Sequence, residues 1–289
     1  MNVAFSLGLR PLKLLHGQWP RLFEFAEELG IEALELEGVQ PQDVASLREL
    51  MERTGVRVHA IASMNTAYLG PDETKAREAI ENLRSAIAIA RSLDAKCVGT
   101  FAGNDPGRTL EENVARFTEV FAPLVREAEA AGISIAIENC PMVGGQPPVA
   151  RNIAYCPAHW TRLFAAVPSP ALGLEFDVGH LPGLGIKIGR CIRDFADRIK
   201  HVHLKDAWVD PELQQSLGMI HGASAVHGIP RPGCHIDFAG LFRELADAGY
   251  RGPVTLDLRP STEALVRMAA VYLRPLLEPW RGCTRSSCT

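Results

Sequence analysis

The chain has 289 residues, 47% of them hydrophobic and 22% charged, so it is long enough to bury a large core in one or two domains. Its 30 basic and 34 acidic residues leave a net charge of −4 without a block of like charges, which argues against an extended phosphate-binding surface and against an anionic-membrane face. No apolar run approaches the roughly 18 residues of a membrane span, and the start lacks the basic-then-apolar order of a signal peptide, so we expect a cytoplasmic protein.

Short β-branched runs alternate with segments of helical spacing along the chain. The strand-like runs begin at residues 3, 33, 56, 97, 134, 172, 199 and 254 and read VAFSL, ALELE, VRVHAIA, CVGTFA, SIAIEN, LGLEFDV, IKHVHL and VTLDL. The clearest helical segment covers residues 72–93, with an apolar stripe of Ala79, Leu83, Ala86, Ile87 and Ala90. Strand and helix units about 30 residues apart predict an α/β fold, a single-domain (β/α)8 TIM barrel over residues 1–280, with a mobile tail over residues 281–289.

Three alternative architectures lack their signatures. An open doubly wound sheet fits the same alternation, but no GxGxxG or GxxxxGK[ST] sequence follows the first predicted strand, so its nucleotide-binding form lacks support. A disulfide framework or a zinc ribbon would need paired cysteines, whereas the seven cysteines are scattered without a CxxC pair. We expect most of these cysteines to be small buried apolar residues.

Two predicted connections are longer than usual: residues 140–157 after the fifth strand and residues 207–235 after the seventh. Long loops in compact domains are commonly functional, and both of these leave the carboxyl ends of strands, where barrel active sites are built. We therefore expect these two loops to wall a site.

Acidic or imidazole side chains stand near the ends of four successive predicted strands: Glu138, Asp177, His203 and Asp257. The carboxyl ends of parallel barrel strands meet at one rim, so these side chains could hold one divalent ion. Because residues two apart face the same side of a strand, each is expected to lie above an inward-facing residue: Ala136, Glu175, His201 and Thr255. Three carboxylates and an imidazole suit Mn²⁺ or Mg²⁺ and tolerate Co²⁺ or Zn²⁺.

The segments IENCP, FDVGH, HVHLKD and PGCHIDFAGLFRELADAGYRGPVTLDL resemble the xylose-isomerase-like TIM barrels. This family of sugar and sugar-phosphate isomerases and epimerases includes ketose 3-epimerases and inosose dehydratases. The resemblance is densest over residues 134–258. It implies a small carbohydrate substrate, one divalent metal cofactor with Mn²⁺ as the expected ion, and a dimer or tetramer.

The resemblance also implies roles for individual residues. Glu138, Asp177, His203 and Asp257 fall where the family's metal ligands lie, and Glu138 and Asp257 would also be its catalytic acid/base pair. His180 matches a substrate-binding histidine, and Arg231 in HGIPRPG matches a basic residue that often precedes the PGxGxIDF-like turn. Two departures stand out: the last ligand is usually Glu but here is Asp257, and the usual glycine-acidic turn is replaced by Gly233-Cys234-His235.

Three further residues are candidate substrate contacts near the rim. Lys205 shares the inward face of His203 and could meet a substrate oxygen, although such a lysine often pairs with a neighbouring acid, here Asp206. Trp208 follows at the mouth and could stack on a sugar face. His235 could bind substrate or cap Asp237 at the start of the next helix.

The expected chemistry begins with a proton removed from a carbon beside a ketone. A divalent ion acting as a Lewis acid stabilises the charge that develops on oxygen. Two carboxylates on opposite faces of that carbon could remove and return the proton, giving epimerisation. One-sided transfer would give aldose–ketose isomerisation, and loss of a β-hydroxyl would give inosose-type dehydration. We expect a metal-dependent sugar isomerase or epimerase.

Two alternatives come from other functional classes. An abasic-site endonuclease branch of the family holds three zinc ions and needs further histidines at the ends of strands two to four. Those ends read LELEG, HAIASMN and GTFAGND, and the net charge is negative. A non-catalytic sugar-binding relative is the second alternative, suggested by the shorter Asp257. We expect neither a nucleic acid nor a membrane partner.

Overall fold

The structure, a computed structural model, describes residues 6–10, 15, 17–144, 148–218, 225–258 and 262–280. The barrel strands in chain order are β1 (Leu7–Leu9), β2 (Ala33–Glu37), β3 (Arg57–Ala62), β4 (Cys97–Thr100), β5 (Ser134–Glu138), β8 (Leu172–Asp177), β9 (Ile199–Leu204) and β12 (Val254–Leu256). Within the described residues these strands close a parallel barrel in the order β1-β12-β9-β8-β5-β4-β3-β2. The predicted TIM barrel is confirmed.

Helices surround the barrel in the expected alternation. They are α1 (Trp19–Glu28), α2 (Val44–Thr54), α3 (Glu73–Ser92), α4 (Leu110–Ala130), α5 (Pro157–Ala166), α6 (Ile188–Asp194), α7 (Pro211–Leu217), α8 (Phe238–Asp247) and α9 (Glu263–Leu277). Helix α3 begins where the side chain of Asp72 accepts hydrogen bonds from two backbone N–H groups, and its predicted apolar stripe is buried. None of the helices in the described ranges is both long and apolar enough to cross a membrane.

The first strand lies later in the chain than predicted. The run VAFSL suggested residues 3–7, but β1 is Leu7–Leu9, paired with Val254–Leu256 of β12. Residues 1–5 lie outside the described part of the chain, as do the predicted tail at 281–289 and its two cysteines. The apolar run VAFSLGL has no alternation that marks where pairing starts, so register with β12 decides the strand's position.

Both long connections contain small antiparallel sheets. In the first, β6 (Val143–Gly144) pairs with β7 (Val149–Ala150), and in the second, β10 (Asp206–Val209) pairs with β11 (Ala225–Gly228). Cys140 and Met142 from the first connection and His227 and Gly228 from the second line a cavity at the barrel mouth. Both loops therefore wall this cavity, and its role as a functional site stays a prediction.

The barrel interior is polar, whereas TIM barrels are usually filled by bulky branched apolar side chains. A small cluster of Ala60, Cys97 and Ala136 contributes its apolar part. The remaining space holds side chains that are 0% exposed: Glu35, Glu175, His201 and His203. Two register shifts occur in this layer, one where His59 is an extra residue on β3 and one where Lys200 is an extra residue on β9. Such bulges re-aim the side chains that follow them.

Candidate metal centre

Four strands bring the predicted ligands together. Glu138 ends β5, Asp177 ends β8, His203 lies in β9, and Asp257 follows β12 by one residue. One donor atom from each side chain lies within 4.8 Å of the others. Asp177 and His203 are 0% exposed, and Glu138 and Asp257 are each 4% exposed. Asp257 therefore reaches the cluster despite having one methylene fewer than the family's usual glutamate.

The ends of β5 and β8 are held together by an asparagine. The Asn139 side chain accepts a hydrogen bond from the Asp177 backbone N–H at 2.7 Å and donates one to the Asp177 carbonyl at 2.9 Å. Asp177 Oδ1 in turn accepts a hydrogen bond from the Gly179 N–H at 2.8 Å. These bonds fix the Asp177 side chain so that Oδ2 faces the cluster.

Lys205 places its ammonium against the same carboxylates. Nζ lies 2.6 Å from Asp177 Oδ2 and donates a hydrogen bond to Asp257 Oδ2 at 2.8 Å. Burial alone would lower the pKa of Lys205, but Asp177 and Asp257 raise it above its ordinary value. The alternative expectation of a pair with Asp206 is wrong, because Asp206 Oδ1 instead accepts the backbone N–H groups of His235 and Ile236.

Two features of this cluster suit a divalent cation. His203 Nδ1 is buried and has no hydrogen-bond partner, so one potential ligand atom faces the cluster unsatisfied. The donor set of three carboxylates and one imidazole is one that Mn²⁺, Mg²⁺, Co²⁺ and Zn²⁺ accept. Lys205 already places one positive charge against two of these carboxylates, Asp177 and Asp257.

His180 extends the cluster towards the mouth. It lies in a short 3-10 turn, Val178–His180, that begins directly after β8. Its Nε2 lies 3.4 Å from Asp177 Oδ2 and 3.5 Å from Glu138 Oε1. Burial alone would lower the pKa of His180, but the Asp177 carboxylate raises it to about 10. The imidazole is thus tied to the carboxylates and also faces the cavity.

A second polar layer lies directly beneath the cluster. Glu35 Oε2 accepts a hydrogen bond from His203 Nε2 at 2.6 Å and lies 3.5 Å from His201 Nε2. Burial alone would raise the pKa of Glu35, but His203 and Arg10 hold it well below its ordinary value. Burial raises the pKa of Glu175 well above its ordinary value, and neighbouring Glu35 raises it further. The surroundings therefore favour the ionised form of Glu35 and the protonated form of Glu175.

A cavity of about 350 Å³ opens above the cluster. Four of the predicted site residues line it: Glu138, His180, Lys205 and Asp257. The cavity also exposes residues that the sequence analysis did not single out: Arg10, Met64, Phe101, Met142 and His227. These residues lie in loops and at strand ends, and no sequence motif marks them. The one available signal is that Arg10 directly follows β1.

Arg10 connects the cavity to the lower layer. Its guanidinium lies 3.0 Å from Glu37 Oε2, 3.8 Å from Glu35 Oε1 and 4.0 Å from Asp257 Oδ1. Arg10, Glu35 and Asp257 are buried, whereas Glu37 is partly exposed at the mouth. One cation thus helps to position carboxylates of both layers.

Three predicted substrate contacts do not line this cavity in the described part of the chain. Arg231 is exposed on the connection after β11. The His235 ring stacks on Trp208 with centroids 4.8 Å apart, and its Nδ1 lies 3.3 Å from Asp206 Oδ2. His235 does not cap Asp237, which itself caps α8 by accepting the Gly240 N–H. A role in substrate binding for Arg231, Trp208 and His235 stays a prediction.

The cysteines are less buried than expected. All five that the structure describes are free thiols. Cys97 and Cys191 are buried, whereas Cys140, Cys156 and Cys234 are partly exposed. Cys140 lines the cavity beside the cluster.

Comparison with known proteins gives consistent matches over the whole barrel. The family described as xylose isomerase-like TIM barrel matches residues 23–276. The inosose dehydratase of Geobacillus kaustophilus (strain HTA426) is 25% identical over 275 residues, 88% of this chain and 87% of that protein. The putative L-ribulose-5-phosphate 3-epimerase SgbU of Escherichia coli (strain K12) is 24% identical over 256 residues, 83% of each chain. The crystal structure of the IOLI protein with a zinc atom has a TM-score of 0.74 at 17% identity, covering 96% of this chain and 100% of that one, and so shares the fold.

Proposed function

The chain belongs to the xylose isomerase-like TIM barrel family, and we propose that it is a divalent-metal-dependent enzyme that removes a proton beside the carbonyl of a keto sugar. The observation that carries this proposal is the convergence of Glu138, Asp177, His203 and Asp257 beneath a cavity of about 350 Å³. The named relatives are sugar-modifying enzymes, a dehydratase and a putative epimerase, which supports an enzymatic role.

The four converging side chains would hold the ion. When bound, the ion would act as a Lewis acid that stabilises negative charge on the substrate's carbonyl oxygen. His203 would contribute Nδ1, which has no hydrogen-bond partner, and Asp177 would contribute Oδ2, which is paired with Lys205. The zinc atom in the related IOLI structure supports a divalent ion, and we propose Mn²⁺ as the working cofactor.

Glu138 and Asp257 would move the proton. Their strands, β5 and β12, are separated in the barrel by β8 and β9, so the two carboxylates reach the cluster from different sides. One carboxylate would remove the proton from the carbon beside the carbonyl, and the other would return a proton from the opposite face, which gives epimerisation. Lys205 and His180 line the cavity next to both and would orient substrate oxygens.

A dehydratase is the second candidate because a relative of that activity is 25% identical over 88% of the chain. It would use the same first step, followed by departure of a β-hydroxyl group. The two reactions would therefore share the base and the ion. They differ in that only the dehydration expels a hydroxyl group from the substrate.

Deuterium exchange tests the proposal. The metal-loaded protein is incubated in D₂O with a panel of ketoses, ketose phosphates and keto-inositols. We expect deuterium in the carbon skeleton of at least one substrate, and an unsaturated product absorbing in the ultraviolet only if dehydration follows. Asp177→Asn should lose both exchange and about one equivalent of bound ion.

The matched control is Asp237→Asn, the same chemical change at the surface cap of α8. It should retain both exchange and metal. Wild-type protein that binds no divalent ion after reconstitution with Mn²⁺, and exchanges no substrate of the panel, would refute the proposed function.

A further inference from the structure

His203 lies between the two polar layers and presents a different nitrogen to each. Nδ1 faces the upper cluster, 3.9 Å from Asp177 Oδ2 and 4.0 Å from Glu138 Oε1. Nε2 faces downward and is hydrogen-bonded to Glu35 Oε2 at 2.6 Å. Both partners of this hydrogen bond are 0% exposed, so water does not compete for it.

Glu35 is held in place from two other directions. Arg10 Nε lies 3.8 Å from its Oε1, and His201 Nε2 lies 3.5 Å from its Oε2. The layer has room for these side chains because Gly99 of β4 carries no Cβ, which would lie 2.4 Å from Glu175 Oε1. The carboxylate therefore has a fixed position under the imidazole.

We propose that Glu35 is a positioning residue that holds His203 in the tautomer protonated at Nε2, leaving Nδ1 free to bind a divalent ion. The inference rests on the metal site of the proposed function and adds the group that orients its imidazole ligand. A neutral imidazole carries its proton on one nitrogen only, and a carboxylate that accepts from that nitrogen decides which one. The same bond restrains rotation of the ring and raises the basicity of the ligating nitrogen.

Glu175 provides a matched comparison within the same layer. Its Oε1 lies 3.5 Å from the same His203 nitrogen, and it has no hydrogen bond to that nitrogen. Like Glu35, it is 0% exposed, and it projects into the barrel from β8, on the opposite side from β2. Replacing each glutamate by glutamine is therefore the same chemical change at 2.6 Å and at 3.5 Å from Nε2.

The test measures affinity for Mn²⁺ and Zn²⁺ directly, by competition with a chelator and by calorimetry. Glu35→Gln is expected to weaken binding about 10- to 100-fold, the usual effect of losing the carboxylate partner of a metal-binding histidine. Glu175→Gln should change the affinity less than about 3-fold, since it leaves the hydrogen bond to His203 intact. Equal affinity in wild type and Glu35→Gln would overturn the proposal.

A second measurement uses the wild-type protein and does not depend on the folding of any variant. In the zinc-loaded, ¹⁵N-labelled protein, the resonances of His203 should show a proton on Nε2 and the metal on Nδ1. A proton on Nδ1 with the metal on Nε2 would refute the role of Glu35. Failure of the wild type to bind either ion would refute the metal site of the proposed function, which is a different result from metal bound through the other nitrogen.

Discussion

Replacement of Lys205 by methionine should make the metal-free protein less stable and make metal binding tighter. Methionine keeps most of the length and apolar volume of the side chain while removing the ammonium. In the wild type that ammonium lies 2.6 Å from Asp177 Oδ2 and 2.8 Å from Asp257 Oδ2, and Lys205 is only 7% exposed. The variant would leave two buried carboxylates without this cation.

The expected loss can be estimated from this geometry. Breaking a buried ion pair by removal of one partner costs about 3–5 kcal/mol. For a chain of this size, 1 kcal/mol corresponds to roughly 2–4 °C in Tm, so the metal-free variant should unfold roughly 10 °C below the wild type. Added divalent ion should recover much of this loss, because ligand at 100 times its Kd contributes about 2.7 kcal/mol. Since the ammonium no longer competes for the carboxylates, the variant should also bind the ion more tightly.

Thermal unfolding with a chelator and with Mn²⁺ measures both effects. Lys200→Met is the matched control: Lys200 lies on the same strand, and its Nζ donates to the carbonyl of Asp197. That substitution should change stability by less than about 1 kcal/mol and leave metal affinity unchanged. A metal-free Lys205→Met protein as stable as the wild type would show that the ammonium does not neutralise the cluster.

Two further predictions concern acidic residues of the two layers. The pKa of Glu175 is raised in the folded state, so wild-type stability should fall as pH rises above about 4.3, by up to about 1.4 kcal/mol per pH unit. The Glu175→Gln variant lacks this dependence. With chelator present, the free energy of unfolding of the variant minus that of the wild type should therefore rise between pH 5 and 7. If this difference stays constant, Glu175 is already ionised in the folded state. Asp257→Asn should lose turnover on the order of 100-fold or more with a smaller change in KM. Asp257→Glu should bring no gain, because the Asp257 carboxylate already reaches the cluster, and a more active glutamate variant would contradict this geometry.

The upper layer of the site could be predicted from the sequence because its residues occupy equivalent places. Glu138, Asp177, His203 and Asp257 lie at or near the carboxyl ends of successive strands, and the parallel barrel brings such positions to one rim. The two-residue alternation also predicted that Glu175 and His201 face inward, and both are buried in the interior. The local sequence pattern was sufficient to predict this layer because the same strand-and-helix unit repeats around the barrel.

The contacts of the lower layer could not be predicted from the sequence in the same way. Glu35 is separated from His203 by 168 residues and meets it across the barrel rather than along a strand. In the β2 sequence ALELE, Glu35 and Glu37 occupy equivalent alternating positions. Only the three-dimensional structure shows that Glu37 pairs with Arg10 at the mouth. The bulges at His59 and Lys200 add a register change that alternation alone does not predict.

The acidic side chains of the two layers outnumber the cations beside them. The carboxyl groups of Glu35, Glu138, Asp177 and Asp257 lie around Arg10 and Lys205, and Arg10 is also paired with Glu37. A divalent ion would bring further positive charge to this cluster. The Asp177 carboxylate outweighs the effect of burial and raises the pKa of His180 to about 10, and Glu175 and Glu35 raise the pKa of His203 to about 10. Because a histidine binds metal in its deprotonated form, a divalent ion and a proton compete for His203, and metal affinity measured over a pH series should rise with pH towards that value.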